Sequence, residues 1–286
     1  MNTHEEQACN YFIRNNQITE VLQAIKPGKE ATVFICRGSE AHQNKLLCLK
    51  IYKDAVSRSF KNNDVYSEGR FDSLSRREKL AIKKKSKFGK EIMESAWLST
   101  SLDTYEPKED AIRSNKALKM QDVFKTSSKF SEIDVLTRLH QAGLNVPRPI
   151  SSSNTAILME YIGDQDQIAN QLKDEELNEQ KTSYLFQKII NNIQQMFNLN
   201  IVHGDLSAYN ILVWKNQPVI IDFPQTINPD NHSKAFDILY RDVDNICNFF
   251  AKKGIEADSW RITNNIWQNE KIYFGNNLKS AHGEIQ

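Results

Sequence analysis

The sequence predicts an α+β protein of two lobes, one built on an antiparallel sheet and the other on helices. Three observations carry that expectation. Two strand-like runs near the N-terminus, Ala31-Thr32-Val33-Phe34-Ile35-Cys36 and residues 45–52, flank a polar turn at 38–44, as an antiparallel pair would. From residue 183 onward, apolar side chains recur mainly at helical spacing. Within that helical part stand two short apolar runs, Ile211-Leu212-Val213-Trp214 and Val219-Ile220-Ile221-Asp222, close enough together to form a hairpin.

The elements follow in order. Residues 1–26 are polar, with Tyr11, Phe12, Ile13, Ile18, Val21, Leu22 and Ile25 at helical and mixed spacing, which predicts a short helix leading into the first strand. Lys50 has Leu49 and Ile51 as neighbours, so the side-chain period of two turns it to the opposite face from both. Residues 54–128 form an insert with no readable periodicity. It holds a basic run (Arg76, Arg77, Lys79, Lys83, Lys84, Lys85, Lys87, Lys90), then Pro107 and several acidic residues. Phe130, Ile133, Leu136 and Leu139 share one helix face, Gly143 ends that helix, and Val146-Pro147-Arg148-Pro149 leads out extended. Residues 156–159 read as a buried strand, with Glu160-Tyr161-Ile162-Gly163 as a connector. Leu185, Phe186, Ile189, Ile190, Ile193, Met196 and Phe197 make 183–199 an amphipathic helix. A last helix is expected over about 232–252, closed by Gly254, with a loose tail after about 270. The lobes are expected at 1–162 and 163–286.

Composition narrows the function classes. The 286 residues are 40% hydrophobic and 26% charged, an ordinary balance for a chain that buries a core. A net charge of +1 gives no global pull toward nucleic acid or membrane, so any polyanion site must be local. Cys9, Cys36, Cys48 and Cys247 form no zinc-type spacing and read as small buried hydrophobes. No secretory pattern and no apolar membrane-length run is present, so a cytoplasmic protein without a membrane partner is expected.

The chemistry concentrates in His203-Gly204-Asp205-Leu206-Ser207-Ala208-Tyr209-Asn210 and the hairpin behind it. If the strands join across Lys215-Asn216-Gln217, Trp214 pairs with Pro218 and Asn210 pairs with Asp222, about 5 Å apart. An amide oxygen and a carboxylate then stand side by side, with Asp205 on the preceding loop. Mg²⁺ takes such oxygen ligands and keeps substrate phosphates in its shell. This is the pattern of a protein-kinase catalytic loop and metal Asp, with Gly204 in place of the usual Arg. Phosphoryl transfer is mostly positioning and charge stabilisation. In that scheme Lys50 holds the α- and β-phosphates of ATP, Glu132 steadies Lys50, and Asn210 and Asp222 carry Mg²⁺, for which Mn²⁺ could substitute. Asp205 orients or deprotonates the acceptor hydroxyl or a water. Glu160 to Ile162, with Met159 before them, offer backbone to adenine, and Val33 lines the same site. His203 reads as a hydrogen-bonded scaffold residue, with Ser207 as a second supporting residue.

The chain resembles the RIO family of atypical serine/threonine protein kinases and ATPases, most nearly its bacterial-type members. The resemblance rests on residues 18–31, ending in Gly28-Lys29-Glu30-Ala31, and on the His-Gly-Asp-Leu-Ser-x-x-Asn run at 203–210. It rests also on Ile221-Asp222-Phe223-Pro224-Gln225, Arg241-Asp242-Val243, and Glu132 ahead of Val-Pro-Arg-Pro at 146–149. It implies a minimal two-lobed protein-kinase-like fold, a phosphate loop at Gly28, Lys29, Glu30 and Ala31, and ATP with a divalent metal as cofactors. It implies also that Asp222 can itself take a phosphoryl group in turnover. The acceptor is then an unidentified protein or the chain itself. Ser207 stands where ordinary kinases carry a Lys, and Pro224 follows Asp222-Phe223 where they carry Gly. The loop after Asp222 is short, with no room for a peptide-docking platform, which suits an ATP-driven switch. Two other readings compete: a small-molecule phosphotransferase of the aminoglycoside or choline kinase type, and a nucleotide-gated scaffold with little turnover. Ser207 and Gln225 argue against the first, and the retained Lys50, Asp205, Asn210 and Asp222 against the second. The basic run reads first as a solvated face. Its second reading is a polyanion site, with Arg76, Arg77, Lys83, Lys84, Lys85 and Lys87 facing RNA, a ribosomal surface or a polyphosphorylated ligand.

Overall fold

The computed structural model describes residues 1–25, 31–53 and 132–269. Gly28, Lys29 and Glu30 of the expected phosphate loop lie outside these residues. So do the 54–128 insert with its basic run and the tail from 270. The chain divides into two compact units, Met1–Arg138 with Pro147–Gln167, and Leu139–Val146 with Ile168–Gln286.

The first unit is an antiparallel sheet with a helix on one face. Helix α1 (Thr3–Arg14) starts on a capping box, in which Asn2 accepts from Glu5 N–H and the Glu5 carboxylate accepts from Asn2 N–H. Strands β1 (Ile18–Ile25), β2 (Ala31–Gly38), β3 (Leu46–Tyr52), β4 (Pro149–Ser152) and β5 (Ala156–Glu160) make a sheet in the order β1-β2-β3-β5-β4. The expected helix is present, but it leads into β1, a strand the sequence did not announce. Most β1 side chains are exposed and its pairing with β2 is irregular at two points, so the apolar alternation that marks a half-buried strand never develops. The other edge, β4, is half-buried at every position and is equally mute.

Register divides this sheet into two chemically different faces. Val33 opposes Lys50, which opposes Ile157, and Ile35 opposes Cys48, which opposes Met159. Opposed residues share a face, so Ala31, Val33, Ile35, Cys48, Lys50, Tyr52, Ile157 and Met159 lie together. Phe34, Cys36, Leu47, Leu49, Ile51, Ala156 and Leu158 take the other face and pack with Ala8, Cys9 and Phe12 of α1. The turn of Lys50 away from Leu49 and Ile51 is as the sequence predicts. Helix α2 (Glu132–Gln141) begins with Glu132.

The second unit is mainly helical. Helix α3 (Glu179–Asn198) buries Leu185, Phe186, Ile189, Ile190, Ile193 and Met196, the face expected from the sequence. Helix α4 (Ala235–Ala251) packs against it, with the Phe186 and Phe250 rings 5.4 Å apart. Helix α5 (Ser259–Trp267), capped by Asp258, was not anticipated; its buried face is only Ile262, Thr263 and Ile266. A small sheet, β6 (Asn170–Gln171), β7 (Ile211–Trp214) and β8 (Gln217–Ile220), carries the hairpin.

The hairpin exists, but its register differs from the expected one by a residue. Trp214 pairs with Gln217 and Val213 with Pro218, so the loop is the two residues Lys215 and Asn216. Both have positive φ, 49° and 60°, the conformation of the two-residue turns whose twist matches the flanking strands. This register also places Pro218 at the edge of the sheet with its missing N–H outward, where no ladder bond is lost. Asn210 therefore faces Ile221, whose N–H donates to the Asn210 carbonyl at 3.0 Å, and not Asp222.

Candidate phosphoryl-transfer site

In the sheet unit the central residue is Lys50. Its Nζ lies 2.8 Å from Glu132 Oε1 and 2.9 Å from Oε2. The lysine is 7% exposed and the glutamate 6%. A buried ion pair of this kind is costly to desolvate and contributes little to folding on balance. Its neighbours on the sheet face, Ala31, Val33 and Ile157, are small or branched and leave the ammonium as the polar feature of an apolar surface. The Tyr52 hydroxyl donates to Glu132 Oε2 as well. Met159 is buried on this face, Glu160 is exposed, and Ile162 is half-buried. The Glu160 N–H already donates to the Arg148 carbonyl at 2.9 Å.

In the helical unit the 203–210 run folds into a loop pinned from below. Buried Asp242 of α4 accepts from Gly204 N–H at 2.7 Å and from Leu206 N–H at 3.0 Å. Arg241 donates to the Gly204 carbonyl, and Asn245 donates to the Leu206 carbonyl at 3.0 Å. Gly204 has φ 85°, and a Cβ there would collide with the Gln225 carbonyl. The Arg found here in ordinary kinases has no room. His203 is buried, donates from Nε2 to the Ile221 carbonyl at 3.1 Å and accepts the Asp205 N–H on Nδ1 at 3.3 Å. A carbonyl only accepts and an N–H only donates, so this is the neutral Nε2–H tautomer of a scaffold residue. Ser207 opens a turn in which its carbonyl accepts the Asn210 N–H at 3.0 Å.

This scaffold presents three reactive side chains. Asn210 Nδ2 donates to the Asp205 carbonyl at 2.7 Å and faces Asp205 Oδ2 at 3.4 Å. The amide nitrogen being spoken for, Oδ1 is the atom Asn210 can offer a cation. Asp222 follows β8 with φ 71°, a left-handed kink that turns the chain sharply at the end of the hairpin. Although Asp205 is open to solvent as a residue, burial of its carboxyl raises its pKa, and the negative charge of Asp222 raises it further. Arg241 and Asn210 act in the opposite sense. The structure thus brings Asp205, Asn210 and Asp222 into one electrostatic group, by the loop and the kink rather than by strand pairing. Among the described residues no three His, Cys, Asp or Glu side chains form a metal-binding cluster of their own. One amide oxygen and one or two carboxylates suit a hard ion that draws its remaining ligands from water and phosphate.

The sequence does not single out Tyr52, and it marks Asp242 only as part of the Arg241-Asp242-Val243 run, without its role as the anchor of the loop. Asp242 did leave a signal, a carboxylate among Leu239, Val243 and Ile246 on the apolar face of a helix, which must find donors when buried. Tyr52 left none.

A chain made of an antiparallel-sheet unit and a mainly helical unit is of the α+β, protein-kinase-like class. A family model described as the RIO domain matches residues 94–262, more than half of the chain. The chain belongs to the RIO family. It is 27% identical over 250 residues to a RIO-type serine/threonine-protein kinase Rio1 of Methanocaldococcus jannaschii, covering 86% of this chain and 68% of that protein. It is 28% identical over 243 residues to serine/threonine-protein kinase rio1 of Schizosaccharomyces pombe, covering 84% of this chain and 40% of that one. A Rio1 kinase of Thermoplasma acidophilum is 37% identical over 127 residues, 44% of this chain and 65% of its own. Several matches span well under two thirds of the relative, down to 21% for a rio1 kinase of Dictyostelium discoideum.

Proposed function

We propose that this protein is a Mg²⁺/ATP-dependent phosphotransferase, a RIO-type serine/threonine kinase that also works as an ATPase. The observation that carries the reading is Lys50. A buried lysine held by Glu132 on an apolar sheet face has no evident structural use, whereas it can hold the α- and β-phosphates of ATP. In this reading Ala31, Val33 and Met159 contact the nucleotide. The connector from Glu160 to Ile162 offers backbone to adenine, with any donated N–H coming from beyond Glu160. Gly28, Lys29 and Glu30 complete the phosphate loop.

Asn210 and Asp222 would hold the metal, which when bound would neutralise phosphate charge. Asp205 accepts a hydrogen bond from the acceptor hydroxyl and takes its proton as the bond to phosphorus forms. The raised pKa of its carboxyl brings it closer to the working range of a general base. With no hydroxyl bound, an Asp222 oxygen attacks the γ-phosphorus and the bond to ADP breaks. Water later hydrolyses the acyl phosphate. The relatives named above, all serine/threonine-protein kinases, favour a protein acceptor. The basic run at 76–90 is proposed as a site for RNA, ribosome or a polyphosphorylated ligand, to be recognised by binding that weakens steeply with salt. Among the described residues no helix is long and apolar enough to cross a membrane, and we assign the protein to the cytoplasm.

The test is calorimetry of Mg·ATP binding beside ATP hydrolysis, alone and with protein acceptors. Asp222→Asn should lose Mg²⁺-dependent nucleotide affinity and turnover together. Asp205→Ala should keep the affinity and lose the turnover. The reading fails if Asp222→Asn binds and turns over like the wild type.

A further inference from the structure

Tyr52 stands two residues beyond Lys50 on the same sheet face, buried at 8% exposure. Its hydroxyl donates to Glu132 Oε2, the same oxygen that Lys50 Nζ approaches at 2.9 Å. Its ring lies beneath the ammonium, with Nζ 5.4 Å from the centroid. The backbone at Tyr52 is itself braced, since His4 Nε2 of α1 donates to the Tyr52 carbonyl at 2.9 Å. Three side chains, Lys50, Glu132 and Tyr52, therefore form one buried unit, although Tyr52 and Glu132 are 80 residues apart.

The chemistry of that unit sets a conflict. Lys50 has three N–H bonds, and both Glu132 oxygens lie within reach of its nitrogen. A carboxylate with no other donor would draw the ammonium wholly to itself and cancel its charge, leaving little for a phosphate. A second donor relieves this. The hydroxyl spreads the negative charge of Glu132, and charge-assisted hydrogen bonds of this kind are the strong ones. We propose that Tyr52 is a positioning residue for nucleotide binding: by donating to Glu132 it frees Lys50 to hold phosphate. This rests on the assignment of Lys50 to ATP made above. Tyr52 does not touch the nucleotide, and its hydroxyl acts through Glu132.

Tyr52→Phe keeps the ring, its packing and its contact with the ammonium, and removes only the hydroxyl. Hydrogen bonds to ionised groups are strong enough that Kd and KM for Mg·ATP should rise about tenfold. Lys50 holds phosphate in ground and transition states alike, so kcat should stay within about twofold. In a Glu132→Gln background the same change should add nothing to Kd, because the carboxylate through which it acts is gone. A purely structural hydroxyl would instead lower the melting temperature in both backgrounds and leave KM alone. If wild type binds Mg·ATP and Tyr52→Phe binds it equally, or if the loss persists unchanged with Glu132→Gln, this inference is wrong while the assignment of function stands. If wild type binds no Mg·ATP, both fall.

Discussion

The two halves of the candidate machinery are held in opposite ways. In the sheet unit, side chains hold side chains in a dry setting: Lys50, Glu132 and Tyr52 are each under a tenth exposed and bond to one another. In the helical unit, side chains of α4 hold main chain, and only Asp242 among them is buried. Asp242, Arg241 and Asn245 bind the backbone of Gly204 and Leu206 and leave Asp205, Asn210 and Asp222 at or near the surface. In the proposed function, the first arrangement fixes a charge that has only to bind phosphate. The second fixes a loop while keeping its carboxylates wet, as a metal and an arriving acceptor require. The difference predicts how each fails, since a side-chain pair can be replaced as a pair but a main-chain N–H cannot be mutated away.

The largest effect is therefore expected at Glu132. Glu132→Leu strands the buried Lys50 charge and should cost about 3–5 kcal/mol in urea unfolding. Replacing all three polar members, Lys50→Met, Tyr52→Phe and Glu132→Leu together, should restore most or all of that stability, with Mg·ATP binding still lost. A triple variant as unstable as the single one would show that the unit supports the fold rather than function. Asp242→Leu is the counterpart in the other unit and should have no such rescue. It leaves the Gly204 and Leu206 N–H groups without acceptors, at about 2–3 kcal/mol. A loop displaced by about an ångström should lower turnover about a hundredfold, with Mg·ATP affinity much less affected. Equal loss of affinity and turnover would mean that the loop is not what Asp242 positions.

A smaller effect is expected from Gly204→Ala. The substitution forces a Cβ into positive φ, at about 1–2 kcal/mol, and pushes it against the Gln225 carbonyl. The chain should remain folded by circular dichroism, with turnover reduced more than stability suggests. Unchanged turnover would show that the close approach of Gln225 is dispensable.

Much of this was legible from the sequence because it is local. Lys50 between Leu49 and Ile51, the Asp205 to Asn210 spacing and the apolar runs behind it depend only on neighbours within a few residues. The one-residue slip in the hairpin arose because Lys and Asn are weaker turn markers than Asn-Gly, so their left-handed pair was read as part of a three-residue loop. Strands β1 and β4 were illegible because edge strands bury too little to alternate. The partners of Tyr52 and Asp242 could not be read, since they lie 80 and 38 residues away, although the apolar face around Asp242 marks it as a carboxylate in need of donors. Sequence exposes a motif, and folding chooses what anchors it.

The last prediction concerns protons, and it separates the two anchors again. Burial raises the Asp242 pKa from its ordinary value of 3.8 to about 7, with the Leu206 and Gly204 N–H groups and Arg241 opposing and Asp205 adding to the rise. The native state therefore binds this proton more tightly than the unfolded chain does. By linkage the contribution of Asp242 to stability is complete below about pH 4, drains away as the pH rises to about 7, and changes no further above it. Other carboxylates also titrate in that range, so the useful quantity is a difference. The unfolding free energy of wild type minus that of Asp242→Asn should fall steadily from pH 4 to 7 and then level off. A difference that stays flat would mean that the two N–H donors and Arg241 outweigh burial and keep Asp242 ionised throughout. The 203–210 loop would then be anchored by a full charge.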